Sequence, residues 1–105
     1  MRKITRLASE AFWDKKYFKM TNTVVLGSFG EITLHKTIIA KIDFEKNTIR
    51  LNNGGYRTNT TKERLNGILK KIGYKIIQKD FTWYIIDKFG NKQLFLNGME
   101  IQLWV

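Results

Sequence analysis

Between Thr21 and Asn52 the side chains alternate, and this alternation limits what the chain can become more than any other feature. The run "EITLH" sets Ile32 and Leu34 on one side and Thr33 and His35 on the other. "TIIAKIDF" groups Ile38, Ala40, Ile42 and Phe44 against Lys41 and Asp43. "TIRLN" repeats the pattern, with Ile49 and Leu51 against Thr48 and Arg50. Successive side chains of a strand point to opposite faces, so a period of two with one apolar set means one buried face and one wet face. The stretches "GSFG", "HKT" and "EKN" separate the runs as turns. An antiparallel meander is expected.

The period changes on either side of this block. Ile4, Leu7, Ala11 and Phe18 fall on one face at helical spacing, which predicts a helix over residues 4–19. Lys15, Lys16 and Lys19 would then lie at its end, where cations suit the helix dipole. Leu65, Ile68, Leu69 and Ile72 form a single apolar stripe, which predicts a second helix over residues 61–72. Thr60 followed by Glu63 has the pattern of a capping box, and Gly73 supplies a stop. Gly67 lies inside this helix at a cost of about 1 kcal/mol relative to alanine, either for close packing or as tolerated slack.

The last third returns to strands: "YKIIQK", "FTWYIIDK", "KQLFLN" and "MEIQLW", with "DKFGNK" and "NG" as hairpin turns. Here the alternation is poor, with Phe81, Trp83 and Ile85 pointing one way and Tyr84 and Ile86 the other. Strands that are apolar on both faces are covered on both faces. Either the helices cover one side, or the second side meets a partner. The expected fold is a single basic α+β domain over residues 1–105, an antiparallel sheet of several short strands with an N-terminal and a central helix packed on it.

Charge narrows the partners. Nineteen Lys and Arg against nine Asp and Glu give a net +10, a field that favours polyanions. A lysine-rich composition also accompanies an AT-rich genome, so the field alone does not name a partner. There is no cysteine, which excludes disulfides and thiolate metal sites. No apolar run approaches the roughly 18 to 20 residues of a membrane helix. The basic start "MRKITRLASEAF" lacks the apolar core of a secretory signal, so no membrane association is expected.

Catalysis has little support. His35 stands in a strand with no sequence partner, and no metalloprotease or nucleophile-elbow motif is present. Asp43 and Glu45 mark a solvated turn rather than a cation site. No catalytic residue, metal or cofactor is expected.

The stretch "NNGGYRTNTTKERLN" carries the one candidate binding site. A helix beginning near Thr61 presents free amides and a positive dipole end. Thr58, Thr60 and Thr61 add hydroxyls; Arg57, Lys62 and Arg64 add cations; and Tyr56 offers a ring to stack on a base or sugar. Lys70 and Lys71, beside the apolar stripe, extend the basic surface, and Lys15, Lys16 and Lys19 are further candidates. Such groups hold phosphate without reading sequence. The same residues also serve a turn followed by a capped helix, with Arg64 and Asn66 bridging to neighbouring loops. Both readings stand at the level of sequence.

The order of motifs resembles a family of small tailed-bacteriophage proteins. The matching positions are Asn22, Thr23 and Val25; Leu34 and His35; Ile39 and Ala40; and Gly55, Tyr56, Thr58, Thr60, Thr61, Arg64, Leu65 and Asn66. Gln78, Lys79, Trp83 and Tyr84 complete the set. This chain has Tyr56 where many relatives carry Trp, and "HKT" where they carry "HGN". The resemblance implies phage origin and a place in the cytoplasm of an infected bacterium or in the virion, and it brings no activity with it.

The leading expectation is a non-enzymatic protein that binds nucleic acid, through the phosphate backbone, by the basic surface around the central helix. The alternatives are a module that docks on a host defence or transcription protein through Trp83, Tyr84 and Phe95, and a minor virion component. The oligomeric state is left open.

Overall fold

The structure, a computed structural model, describes residues 1–55 and 57–103. Helix α1 (Lys3–Trp13) leads into a run of short strands, β1 (Tyr17–Met20), β2 (Thr23–Leu26), β3 (Glu31–Leu34), β4 (Thr37–Asp43) and β5 (Thr48–Leu51). Helix α2 (Asn59–Leu69) follows, continued by a 3₁₀ turn at Lys70–Ile72. The remaining strands are β6 (Lys75–Lys79), β7 (Thr82–Ile86), β8 (Lys92–Leu94) and β9 (Met99–Gln102). They form two antiparallel sheets: a large one in the order β1-β2-β3-β4-β5-β9 and a small one in the order β6-β7-β8. This is the α+β arrangement expected, with both helices against the sheet.

The meander forms, but the fourth strand departs from the expected faces: a register shift between Ile32 and Thr33 turns Ile39 inward beside Ala40 and Ile42 and leaves Ile38 exposed, and Phe44, also expected inward, lies exposed beyond the end of β4. Val25, Ile32, Ile39, Ile49 and Leu51 face inward and are buried. Ala8 and Phe12 of α1 and Leu65, Ile68 and Leu69 of α2 close over them. Trp83 and Ile85 of β7, with Ile76 and Phe95, join the same core from the small sheet. His35 and Lys36 both have positive φ, as do Asp80 and Phe81, the backbone pattern of two-residue type I′ hairpins.

Three further expectations are corrected. The first helix ends at Trp13 rather than at residue 19, and Tyr17–Met20 is a strand. The turn at Thr21 and Asn22 folds this segment back on β2, pairing Phe18 with Val25 and Met20 with Thr23. Sheet pairing thus overrides a marginal helical spacing, and Lys15, Lys16 and Lys19 lie beyond the helix end. The "NG" at Asn97–Gly98 does not join a hairpin of the small sheet, because β9 leaves that sheet and pairs with β5 of the large one. The capping box also fails to form: α2 begins earlier, at Asn59, and Thr58 caps it by accepting from the Thr61 amide at 3.1 Å.

Gly67 lies where α2 packs against α1. A β-carbon there would lie 2.5 Å from Thr5 Cγ2 and 2.7 Å from Ser9 Oγ, so the residue is required for packing and is not slack.

Candidate functional site

The site proposed from sequence divides into an internal network and an exposed basic rim. Arg64 is 2% exposed. Its Nε donates to Thr23 Oγ1 at 3.1 Å, and its Nη1 donates to Thr5 Oγ1 at 2.5 Å and to Glu63 Oε1 at 2.9 Å. Glu63 also accepts from Arg2 Nε at 2.9 Å and from the Thr5 hydroxyl. Thr23 Oγ1 donates onward to Asn22 Oδ1 at 3.0 Å, and Asn22 Nδ2 lies 3.3 Å from His35 Nε2. One polar chain therefore runs from the β3–β4 turn through β2 and α2 to α1.

Burial of a guanidinium disfavours its charge, and this, with the nearby Arg2, lowers the Arg64 pKa against the pull of Glu63. For Glu63 burial pushes the carboxyl up. Hydrogen bonds from Thr5 and Arg2, with the charges of Arg2 and Arg64, outweigh it and hold the group below the ordinary glutamate range. Arg64 is accordingly a structural tie. As placed, its guanidinium is buried and turned to these internal partners, apart from the exposed basic rim.

Thr61 has the same fate. It is buried, with its amide and hydroxyl both within hydrogen-bonding distance of Thr58 Oγ1. Asn66 is a clamp: its Nδ2 donates to Ile76 O at 3.0 Å and its Oδ1 accepts from Ile76 N at 2.6 Å, fixing the start of β6 against α2. Tyr56 lies outside the described residues.

The other candidates are on the surface. Thr58 is exposed and Thr60 half-buried at the mouth of α2. With Thr61, Asn53, His35 and Thr37 they line a cleft of about 430 Å³ between the helix start and the β3–β4 hairpin. Arg57 reaches across to the β6–β7 turn, donating from Nη1 to Phe81 O at 3.3 Å. Lys62 donates to Gln78 Oε1 on β6 at 3.2 Å. Lys70 and Lys71 are exposed in the 3₁₀ turn. Sequence reasoning did not assign Lys75, Lys79 and Lys92 to the site, yet they share the outer face of the small sheet. The cross-strand pairs Lys75–Ile86–Lys92, Ile77–Tyr84–Leu94 and Lys79–Thr82 define that face. The signal was the failed alternation of "KIIQK" and "TWYII".

Charge is distributed unevenly. On the outer face of the large sheet, Glu31, Lys41, Arg50 and Glu100 follow one another across four strands. Lys41 pairs with Glu31 at 2.5 Å and Arg50 with Glu100 at 2.8 Å. Among the described residues, Arg57, Lys62, Lys70, Lys71, Lys75, Lys79 and Lys92 pair with no carboxylate. No group of His, Cys, Asp and Glu among the described residues has the makings of a metal site. Asp43 uses its carboxylate to accept from the Glu45 and Lys46 amides, at 3.0 Å each.

A family model described as Kyanoviridae Gp96 protein matches residues 1–102. The chain belongs to that phage family. Neither a curated protein nor a solved structure matches it. The phage resemblance read from the motifs thus holds over nearly the whole chain. Among the positions that carried the resemblance, Asn22, Thr23, Thr58, Thr61, Arg64 and Asn66 all take part in the internal hydrogen bonds described above. No helix among the described residues is long and apolar enough to cross a membrane.

Proposed function

We propose that this protein binds nucleic acid, without catalysis, through the phosphate backbone. The supporting observation is the unpaired band of cations along α2 and β6. Arg57, Lys62, Lys70, Lys71, Lys75 and Lys79 have no carboxylate partner among the described residues, while Lys41 and Arg50 of the large sheet's outer face are paired with Glu31 and Glu100. A band of cations that neutralises several phosphates releases their counterions, which gives steep salt dependence. Thr58 and Thr60 remain as candidate phosphate contacts at the mouth of α2, with Arg57 beside them.

The test is fluorescence anisotropy with labelled DNA and RNA across a salt series. Lys62→Gln, Lys70→Gln and Lys71→Gln are each expected to weaken binding alike for all sequences and to reduce the salt slope by about 1 apiece. Unchanged slopes in all three variants would remove this surface from the function.

A second reading, a protein partner, is favoured by a separate place. Phe29 and Phe44 are 66% and 48% exposed beside a cleft of about 670 Å³ that also includes Lys41, Asp43, Arg50 and Glu100. That mixed-charge, aromatic surface suits a protein better than a polyanion. Trp83 and Phe95 do not serve this role, since they are buried with ring centroids 5.5 Å apart. A host protein captured by the wild-type chain and lost on Phe29→Ala with Phe44→Ala would establish it.

A further inference from the structure

The small sheet presents a face that its fold leaves open. Helix α2 meets this sheet on its inner side, where Asn66 clamps Ile76 and Lys62 reaches Gln78. Trp83 and Ile85 point inward and are buried. The side chains between them point outward. Tyr84 stands at the centre of this outer face, half-buried, with Ile77 opposite it on one neighbour and Leu94, 49% exposed, on the other. Lys75 and Lys92 occupy the next row, with Lys79 at the far end. The Lys92 ammonium lies 4.8 Å from the Tyr84 ring centroid. No strand residue on this face is acidic.

We propose that this face is a stacking platform for single-stranded nucleic acid, with Tyr84 receiving a base and Lys75, Lys79 and Lys92 holding the flanking phosphates. An aromatic ring set in a flat apolar row gives a base a surface that a paired duplex cannot reach, and surrounding lysines complement the backbone. The charge complement selects this occupant. An apolar protein partner would leave three lysines desolvated without partners, at a cost that a polyanion turns into a gain. The turn tips add to the platform, for Phe81 and Phe89 are 87% and 79% exposed at the two hairpin ends of the same sheet. Arg57, bonded to the carbonyl of Phe81, connects the platform to the start of α2. The inference rests on the nucleic-acid reading above and adds to it the class of strand and the residue that meets the base.

The test uses the full chain, a labelled single-stranded oligonucleotide and the duplex of the same sequence, at physiological salt. The wild type is expected to prefer the single strand. Tyr84→Ala should weaken single-strand binding by between about fivefold and about a hundredfold and leave duplex binding unchanged. Tyr84→Phe, which keeps the ring, should stay within about twofold of the wild type. Lys75→Gln with Lys92→Gln, which leaves the ring in place, should weaken single-strand binding and flatten its salt dependence. Circular dichroism melts confirm that each variant is folded. If folded Tyr84→Ala binds the single strand as the wild type does, while the Lys62, Lys70 and Lys71 variants still weaken binding, the platform is overturned and the basic band stands. If the wild type binds neither form, both readings fall. If Tyr84→Ala instead dissolves a dimer of the chain, the face is an interface between copies and the platform is overturned.

Discussion

The outer faces of the two sheets follow the same strand geometry and reach opposite results. On the large sheet the outward positions hold Lys19, Lys41 and Arg50 with Glu31, Asp43 and Glu100, three cations against three carboxylates, with Lys41–Glu31 and Arg50–Glu100 joined across the strands. On the small sheet they hold Ile77, Tyr84, Ile86 and Leu94 with Lys75, Lys79 and Lys92, and no acid. The net charge of +10 is therefore not an even coat. One face is internally balanced and has nothing to gain from a polyanion. The other has apolar area and cations without counterparts. A count of charges reports their sum and misses this division, which depends on which residues the registers bring opposite one another.

The largest expected effect lies between the two regions, where Arg64 ties α2 to α1 and to β2. Arg64→Met should destabilise the fold by about 3 kcal/mol, because Glu63 and the hydroxyls of Thr5 and Thr23 lose their buried partner. The nucleic-acid salt slope of the folded variant should stay at the wild-type value. Chemical denaturation and anisotropy together check this. A stable variant with a reduced slope would return Arg64 to the binding surface and break the division into internal and exposed cations.

A smaller effect follows from Glu63. Its folded pKa lies below the ordinary glutamate value of 4.5. Its contribution is therefore complete above that value and is lost as the pH falls through the folded pKa. Glu63→Gln should cost about 1.5 kcal/mol at neutral pH, with the gap from the wild type closing below pH 4.5. Denaturation midpoints across an acid series measure it. A gap that persists in acid would mean that shape, and not charge, holds the network.

The smallest effect sharpens the comparison directly. Lys41→Gln with Arg50→Gln removes two cations from the balanced face and should change stability by under about 1 kcal/mol, since these are exposed pairs. Nucleic-acid affinity should remain within about twofold. The same loss of charge at Lys75 and Lys92 should weaken binding. Equal losses from both faces would mean that only total charge matters.

Much of the fold is legible where the chemistry is local. Strands β2, β3 and β5 follow from alternation, and α2 from the stripe Leu65, Ile68 and Leu69, whereas the faces of β4 are reset at Ile38 and Ile39 by the register shift opposite Ile32 and Thr33. Tyr17–Met20 was hidden because four residues carry too little periodicity to compete with a preceding helix, and pairing with Thr23–Leu26 decides the matter. The candidate site was half legible. Lys70 and Lys71 flank an apolar stripe, so their exposure follows from helix geometry. The burial of Arg64 does not, because it depends on Thr5 and Thr23, far away in sequence and brought together only by tertiary packing. Glu63 had the spacing of a capping residue, yet Arg2 and Thr5 of α1 present stronger partners than a backbone amide. The doubly apolar pattern of β7 implied a cover on both faces, yet Phe81 lies exposed in the turn and the Tyr84 face has no helix over it; the cross-strand registers add the lysines that give that face its chemistry.

The return of β9 to β5 sets an order of events for a chain made from its amino terminus. Leu51 pairs with Met99 and Thr48 with Gln102, so the large sheet closes only after the helix α2 and the whole small sheet have been synthesised. Until then β5 stands as an unpaired edge, the kind of template that recruits a strand from a neighbouring chain. The last strand is thus the latch of the fold. Once it docks, the paired edge of β5 lies inside the sheet and β9 becomes its outer strand.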